Sequence, residues 1–174
     1  MSAGFAHHLR VDQIHDGDRL DLIAVEAERD AIAKRLDLLG LDRLEAHVCL
    51  ERNRETIRVL GRLSASLNQS CVVTNEPVPA HIDEPFEVVF IPEPPSTGPD
   101  HEVELGPGDC DTMFYDGQQI DLGAAVTDTL ALSIDPYPRS AAAEAALKEA
   151  GVMTEEQASP FAVLAQLKDR AGGD

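Results

Sequence analysis

The chain has 174 residues, of which 43% are hydrophobic and 4% aromatic, and it contains no Trp. Its 32 acidic and 14 basic residues give a net charge of −18 at pH 7. This length suits one ordinary domain with a flexible tail. The acidity disfavours phosphate ligands, and the few aromatic side chains disfavour a base-stacking surface for RNA. The charge favours a basic protein partner, although it can also serve solubility alone.

The N-terminus and the cysteines predict a cytoplasmic protein. The residues after Met1 lack the basic start and apolar core of a secretory signal. No apolar run in the sequence approaches the length of a membrane span. The three cysteines, Cys49, Cys71 and Cys110, are widely spaced, which is typical of free thiols in a reducing compartment.

The first part of the chain predicts two short strands and a helix. Residues 5–11 and 20–23 have strand character, and residues 25–39 have helical periodicity. Gly40 stands where a left-handed C-terminal cap is expected. The apolar positions of the helix recur at i, i+4 and i+7, as Ile32, Leu36 and Leu39.

The middle of the chain predicts an antiparallel β meander. Alternating apolar residues mark strands at 44–50 and 57–63, and further β segments begin near Cys71–Val73 and Phe86–Phe90. A sheet of this kind buries one face, and the amphipathic helix is its expected cover.

The second half of the chain predicts a loop, a helix and a tail. Proline, glycine and acidic residues crowd positions 91–111, which is typical of a mobile acidic loop. Order is expected to return at Met113–Tyr115, and Asp121 is a good N-cap for a second helix at about 122–133. After Arg139 we expect disorder.

Together these elements predict an α+β fold. It consists of an antiparallel, strongly curved β meander covered by two helices, with a mobile acidic loop and a flexible C-terminal tail. Residues 1–138 are predicted to form a single domain. Residues 139–174 are predicted to be an acidic flexible tail that ends in a short apolar motif at 159–168.

The apolar motif is a candidate partner-binding element. Phe161, Leu164 and Leu167 lie at i, i+3 and i+6, and Val163 lies four residues before Leu167. A short helix that forms on contact would present these side chains together. Asp128 on the second helix is a candidate acidic contact for a basic partner. The alternatives are that the motif packs on its own domain as a last helical turn, and that Asp128 is merely solvated.

Catalytic and metal sites have little support in the sequence. Cys49 has no evident base that would activate it as a nucleophile. Only one run mixes metal-ligand types, and its spacing matches neither a calcium loop nor a zinc site. That run contains His101, Glu102, Glu104, Asp109, Cys110 and Asp111. We therefore predict no catalytic residue, no metal site and no cofactor.

Two stretches of the sequence resemble the YceD family. The first is residues 120–132 with the following Asp135–Pro138. The second is Ser159–Lys168, where a proline and a phenylalanine precede a short aliphatic series that ends in lysine. The resemblance implies a non-enzymatic bacterial protein that supports accumulation or processing of large-subunit (23S) ribosomal RNA.

The resemblance does not identify a molecular mechanism. From the charge we predict that the protein acts through contacts with a basic protein, such as a ribosomal protein or an assembly or processing factor, and that it does not bind RNA directly. The alternative, from a different functional class, is a metal-dependent RNA-processing enzyme or a subunit of one.

One position departs from the family pattern. Many family members that are similar around Cys71 carry a Cys-x-x-Cys motif there, which suggests a metal knuckle. This chain has Thr74 in place of the second cysteine. Zinc requires four suitable ligands at close spacing, so the resemblance carries no metal site over to this chain.

Overall fold

Long β-strands dominate the described part of the chain, which is residues 5–93 and 111–151 of a computed structural model. The chain divides into two compact units. The first contains Met1–Gln69 and Pro79–Pro136, and the second contains Ser70–Val78 and Tyr137–Asp174. Strands and helices occur together, so the predicted α+β class is confirmed.

The secondary structure follows the predicted order, with longer strands than the sequence patterns indicate. No helix within the described ranges is both long and apolar enough to cross a membrane. The strands and helices are β1 (His8–Arg10), β2 (Asp18–Ile23), α1 (Glu26–Arg35), β3 (Gly40–Asn53), β4 (Thr56–Ser70), β5 (Pro77–Pro92), β6 (Thr112–Tyr115), β7 (Gln119–Asp121), α2 (Leu122–Ser133) and α3 (Ala143–Glu149), with a 3-10 turn at Val11–Gln13.

The main sheet has five strands in the order β2-β3-β4-β5-β6. The pairs β2–β3 and β3–β4 are antiparallel, as predicted, but β6 runs parallel to β5. A parallel pair requires a connection of a dozen or more residues, and the interval between Pro92 and Thr112 supplies that length. The prediction of a purely antiparallel meander is therefore wrong at this edge. A separate two-stranded sheet pairs β1 with β7.

One face of the main sheet builds the core of the first unit. Alternate side chains of β3 and β4 are buried, as the period of two predicts. Helix α1 packs against β3, and the buried side of α2 belongs to the same apolar cluster. The largest fully buried side chains of this unit are Leu44, Leu50, Ile57, Leu63, Leu67, Ile120, Leu122 and Leu130.

Helix α1 ends earlier than its sequence pattern predicts. It stops at Arg35, and Asp37 takes a left-handed backbone with φ of 54°. Leu39 then donates its backbone N–H to the carbonyl of Asn68, so the chain has already joined the sheet. Gly40 is consequently the first residue of β3 rather than a helix cap, and Leu39 is 57% exposed rather than on a buried helical face.

Two predictions are wrong in the second unit. Residues 72–74 form a turn after Cys71 instead of a strand, because backbone N–H groups of this segment bond to the Cys71 sulfur. Disorder was expected after Arg139, but Ala143–Glu149 forms helix α3. Ala143 is only 1% exposed, and this burial gives the alanine-rich helix a packing contact that its composition does not indicate.

Candidate partner-binding site

Helix α2 carries Asp128, the candidate acidic contact. The helix begins where the sequence predicts, because the Asp121 carboxylate accepts a hydrogen bond from the backbone N–H of Ala124 at 3.1 Å. Asp128 lies two turns further on and pairs with Arg35 of α1 at 3.1 Å. Both side chains of this pair are at least half exposed, so the pair contributes little stability, about 0–1 kcal/mol.

Asp128 also lines a groove between α2 and the β5–β6 edge of the sheet. The groove has a cavity volume of about 380 Å³. It is lined by residues of β5, by β6 and the residue before it, and by one side of α2. The lining residues are Pro85, Phe86, Glu87, Val88, Asp111, Thr112, Met113, Ala125, Asp128, Thr129 and Leu132.

The floor of the groove depends on a glycine in β4. A Cβ atom at Gly61 would lie 2.6 Å from the ring of Phe86, so only glycine lets the ring rest directly on the strand. Phe86 remains half-buried in this position. On the opposite wall, Leu132 is 85% exposed although Leu130 of the same helix is fully buried. The described part of the chain therefore leaves apolar surface exposed in this groove.

The other face of the sheet carries paired charges. Arg58 on β4 lies 3.7 Å from Glu51 on β3 and 2.6 Å from Glu87 on β5. Arg62 pairs in the same way with Asp83 at 2.6 Å. Hydrogen bonds to these carboxylates raise the pKa of both arginines. These two arginines of β4 are therefore already neutralised by neighbouring acids.

A sulfur-centred turn organises the second unit. The buried Sγ of Cys71 accepts backbone N–H groups from Val73 at 3.5 Å, from Thr74 at 3.4 Å and from Ser140 at 3.2 Å. Burial raises the pKa of the Cys71 thiol, but the hydrogen bonds from Thr74, Ser140 and Val73 outweigh it and lower the pKa to about 6. The thiolate is therefore the favoured form at neutral pH.

Two hydroxyl groups, those of Thr74 and Ser140, lie close to this sulfur-centred turn. The Oγ1 of Thr74 lies 3.1 Å from the Oγ of Ser140. Both hydroxyls donate to a carboxylate oxygen of Glu76, at 3.0 and 2.7 Å, and these bonds lower the pKa of Glu76. Within residues 5–93 and 111–151, no cluster of three or more His, Cys, Asp or Glu side chains could hold a metal ion.

The structure locates only part of the predicted site. Asp128 is placed at the groove, whereas the candidate anchors Phe161, Val163, Leu164 and Leu167 lie outside the described residues, as does the mixed run apart from Asp111. Apart from Asp128 and Asp111, the sequence did not single out the groove residues as a site. The available signal was Leu132, a large apolar residue of α2 that lies off the buried face of the helix.

These features define an acidic α+β protein with an open apolar groove and paired strand charges. A family model described as "Large ribosomal RNA subunit accumulation protein YceD" matches residues 59–168. This match covers more than half of the chain, so the chain belongs to the YceD family, and the resemblance noted in the sequence is confirmed. Neither the curated proteins nor the solved structures gave a match.

Proposed function

We propose that this protein is a non-enzymatic cytoplasmic factor that supports accumulation or processing of large-subunit (23S) ribosomal RNA through contacts with a basic protein. The family description supports the link to large-subunit RNA. A ribosomal protein or an assembly or processing factor has the basic character that a chain with a net charge of −18 would attract.

The arrangement of charge is the observation that carries this proposal. The strand arginines Arg58 and Arg62 are paired with carboxylates. The groove lining includes three acidic residues and no basic one, although Glu87 pairs with Arg58 and Asp128 pairs with Arg35. Phosphate recognition requires accessible cations that displace counterions, and these surfaces present the opposite charge. They favour a cationic partner over RNA itself.

The terminal apolar motif would provide a second contact. Phe161, Val163, Leu164 and Leu167 have the spacing of a short helical ligand, and a few such anchors can dominate the energy of an interface. In this proposal the acidic surface speeds the encounter with the partner, and the motif slows its release.

Recovery of the tagged full chain from cells, with and without ribonuclease treatment, tests the proposal. We expect large-subunit proteins to remain bound after the RNA is digested, and we expect Phe161→Ser/Leu164→Ser to reduce their recovery. Ile23→Ser is the matched control, because it removes an exposed apolar side chain from β2. Loss of all bound protein with the RNA, or metal-dependent RNA cleavage by the purified chain, would contradict the proposal.

A further inference from the structure

The groove between α2 and the β5–β6 edge combines exposed apolar surface with carboxylates. Phe86 and Val88 form its floor, Met113 its β6 side, and Leu132 its helical wall. These side chains come from three elements of the first unit, so the groove forms only when that unit is folded. Its acidic lining residues are Asp111, Asp128 and Glu87, and the carboxylate of Glu87 is paired with Arg58 on β4.

The apolar side chains of the groove are more exposed than the core side chains beside them. Leu122 and Leu130 of α2 are 1% and 0% exposed, whereas Leu132 is 85% exposed. Phe86 and Met113 are only partly buried although they contact the core. Covering such contiguous apolar surface with a partner is favourable, and patches of this kind mark interaction sites.

The acidic part of the groove determines which partner fits. The lining contains no basic residue, and the arginines beside it, Arg35 and Arg58, are paired with Asp128 and Glu87, so the groove disfavours a phosphate or carboxylate ligand. Asp128 is paired with Arg35, but the pair is exposed on both sides, at 62% for Arg35 and 50% for Asp128. A cation from a partner can replace Arg35 at little cost, because exposed ion pairs of this kind are weak.

We propose that this groove binds a basic amphipathic helix of a protein partner. The apolar face of that helix would contact Phe86, Met113 and Leu132, and its lysines or arginines would reach Asp128 and Asp111. The inference rests on the proposed function for the existence of a protein partner, and it adds where the partner binds and what chemistry it presents. Helices bind in grooves of this kind through apolar anchors at i, i+3, i+4 and i+7.

A synthetic amphipathic peptide provides the probe. It has about 14 residues, roughly four helical turns, with leucine at the anchor spacing and lysine elsewhere. Binding to the full-length protein is measured by fluorescence anisotropy over a range of salt concentrations. We expect Leu132→Ser to weaken binding about tenfold or more, as loss of a central anchor does. Asp128→Asn should reduce the dependence on salt.

Two control variants separate the groove from the general acidity of the protein. Ile23→Ser removes another exposed apolar residue, on β2. Asp12→Asn removes another carboxylate of an exposed ion pair, the one with Arg10 at 2.8 Å. Both controls should bind the lysine peptide within about twofold of the unmodified protein, since scattered surface charges contribute little individually.

Equal binding by all four variants would overturn the inference, because attraction to net charge alone would then explain it. Equal binding of a peptide with glutamate in place of lysine would also overturn it. Failure of the proposed function has a different signature. Depleted cells would keep normal large-subunit RNA, while the peptide and its variants would still report whether the groove binds a basic helix.

Discussion

Cys71 shows how one side chain can organise a whole segment. Its sulfur accepts three backbone N–H groups, two from the turn that follows it and one from Ser140, far along the chain. Each N–H would otherwise need another acceptor, because unpaired buried backbone groups are costly. A thiolate accepts these bonds better than a thiol does, which is why the pKa falls to about 6.

The stability of the protein should therefore depend on the ionisation of Cys71. The folded-state pKa of about 6 lies below the ordinary value of 9.0 that applies to the unfolded chain. The thiolate thus contributes stability that is fully present above pH 9 and is lost as pH falls through about 6. Urea denaturation between these limits should show a rise of stability with pH that Cys71→Ser lacks.

The control for this experiment is Cys49→Ser, because Cys49 is only half-buried. It should keep the pH dependence of the unmodified protein. A pH dependence that persists unchanged in Cys71→Ser would contradict the thiolate assignment, as would folded-state titration of the Cys71 thiol near its ordinary pKa.

Gly123 is a second residue whose identity the fold requires. A Cβ atom at this position in α2 would clash with the carbonyl oxygen of Phe5 and lie 2.9 Å from the backbone nitrogen of His7. Alanine is the better helix former by about 1 kcal/mol, so an unpacked helix would gain from it. Here we expect Gly123→Ala to destabilise the protein by about 1–3 kcal/mol, because the N-terminal segment must move away.

Denaturation of Gly123→Ala beside Gly40→Ala checks this prediction. No atom lies within 4 Å of a Cβ placed at Gly40, so that variant should change the free energy of unfolding by less than about 0.5 kcal/mol. A Gly123→Ala protein as stable as the original would show that the segment at Phe5 does not pack against α2 as described.

At the scale of elements, the start of α2 joins the N-terminal segment to the helix. One oxygen of Asp121 accepts the backbone N–H of Ala124 at 3.1 Å and that of His7 at 3.0 Å. The backbone N–H of Leu122 in turn donates to the carbonyl of His7. The Asp121 carboxylate therefore caps α2 and also holds the backbone of His7, the residue just before β1.

Asp121→Ala should destabilise the protein by about 1–2 kcal/mol, because it removes the cap and leaves two N–H groups without their acceptor. Asp121→Asn keeps an oxygen acceptor and should recover most of this loss. Urea denaturation of both variants measures the difference. Equal losses for alanine and asparagine would mean that the capping oxygen is not what holds the segment.

Local signals predicted some of these elements well and missed others for physical reasons. Helix α2 was predicted with its observed bounds, because Asp121 is a strong N-cap and apolar positions recur at helical spacing. Helix α1 was predicted too long, since nothing local indicates that Leu39 bonds to Asn68. Strand β6 was expected only as an ordered segment, because its parallel pairing with β5 is a contact distant in sequence.

The candidate site likewise contains residues that the sequence could indicate and residues that it could not. Asp128 could be chosen from sequence because its charge and its helix are local properties. Phe86, Gly61 and Met113 meet only after β4, β5 and β6 have assembled, so no spacing along the chain indicates that they share a groove. The turn after Cys71 was also mistaken for a strand because the contacts that shape it are not visible in the local sequence. Its backbone N–H groups donate to the Cys71 sulfur and, from Val72, to the distant carbonyl of Pro138 rather than to a neighbouring strand.

At the scale of the whole molecule, the distribution of charge matters more than its total. Arg58 and Arg62 on β4 are matched by acids on neighbouring strands, Arg58 by Glu51 and Glu87 and Arg62 by Asp83. The groove adds carboxylates beside apolar side chains. Such a surface favours a cationic protein, and a chain of the YceD family that works on large-subunit RNA would then act through that protein.

The ratio of large- to small-subunit ribosomal RNA in depleted cells tests this account most directly. Rescue is compared for the full chain, a chain that ends at Ala158, and the groove variant Leu132→Ser. We predict a selective fall in large-subunit RNA that the full chain restores and the other two restore only in part. An unchanged ratio on depletion would contradict the proposed function.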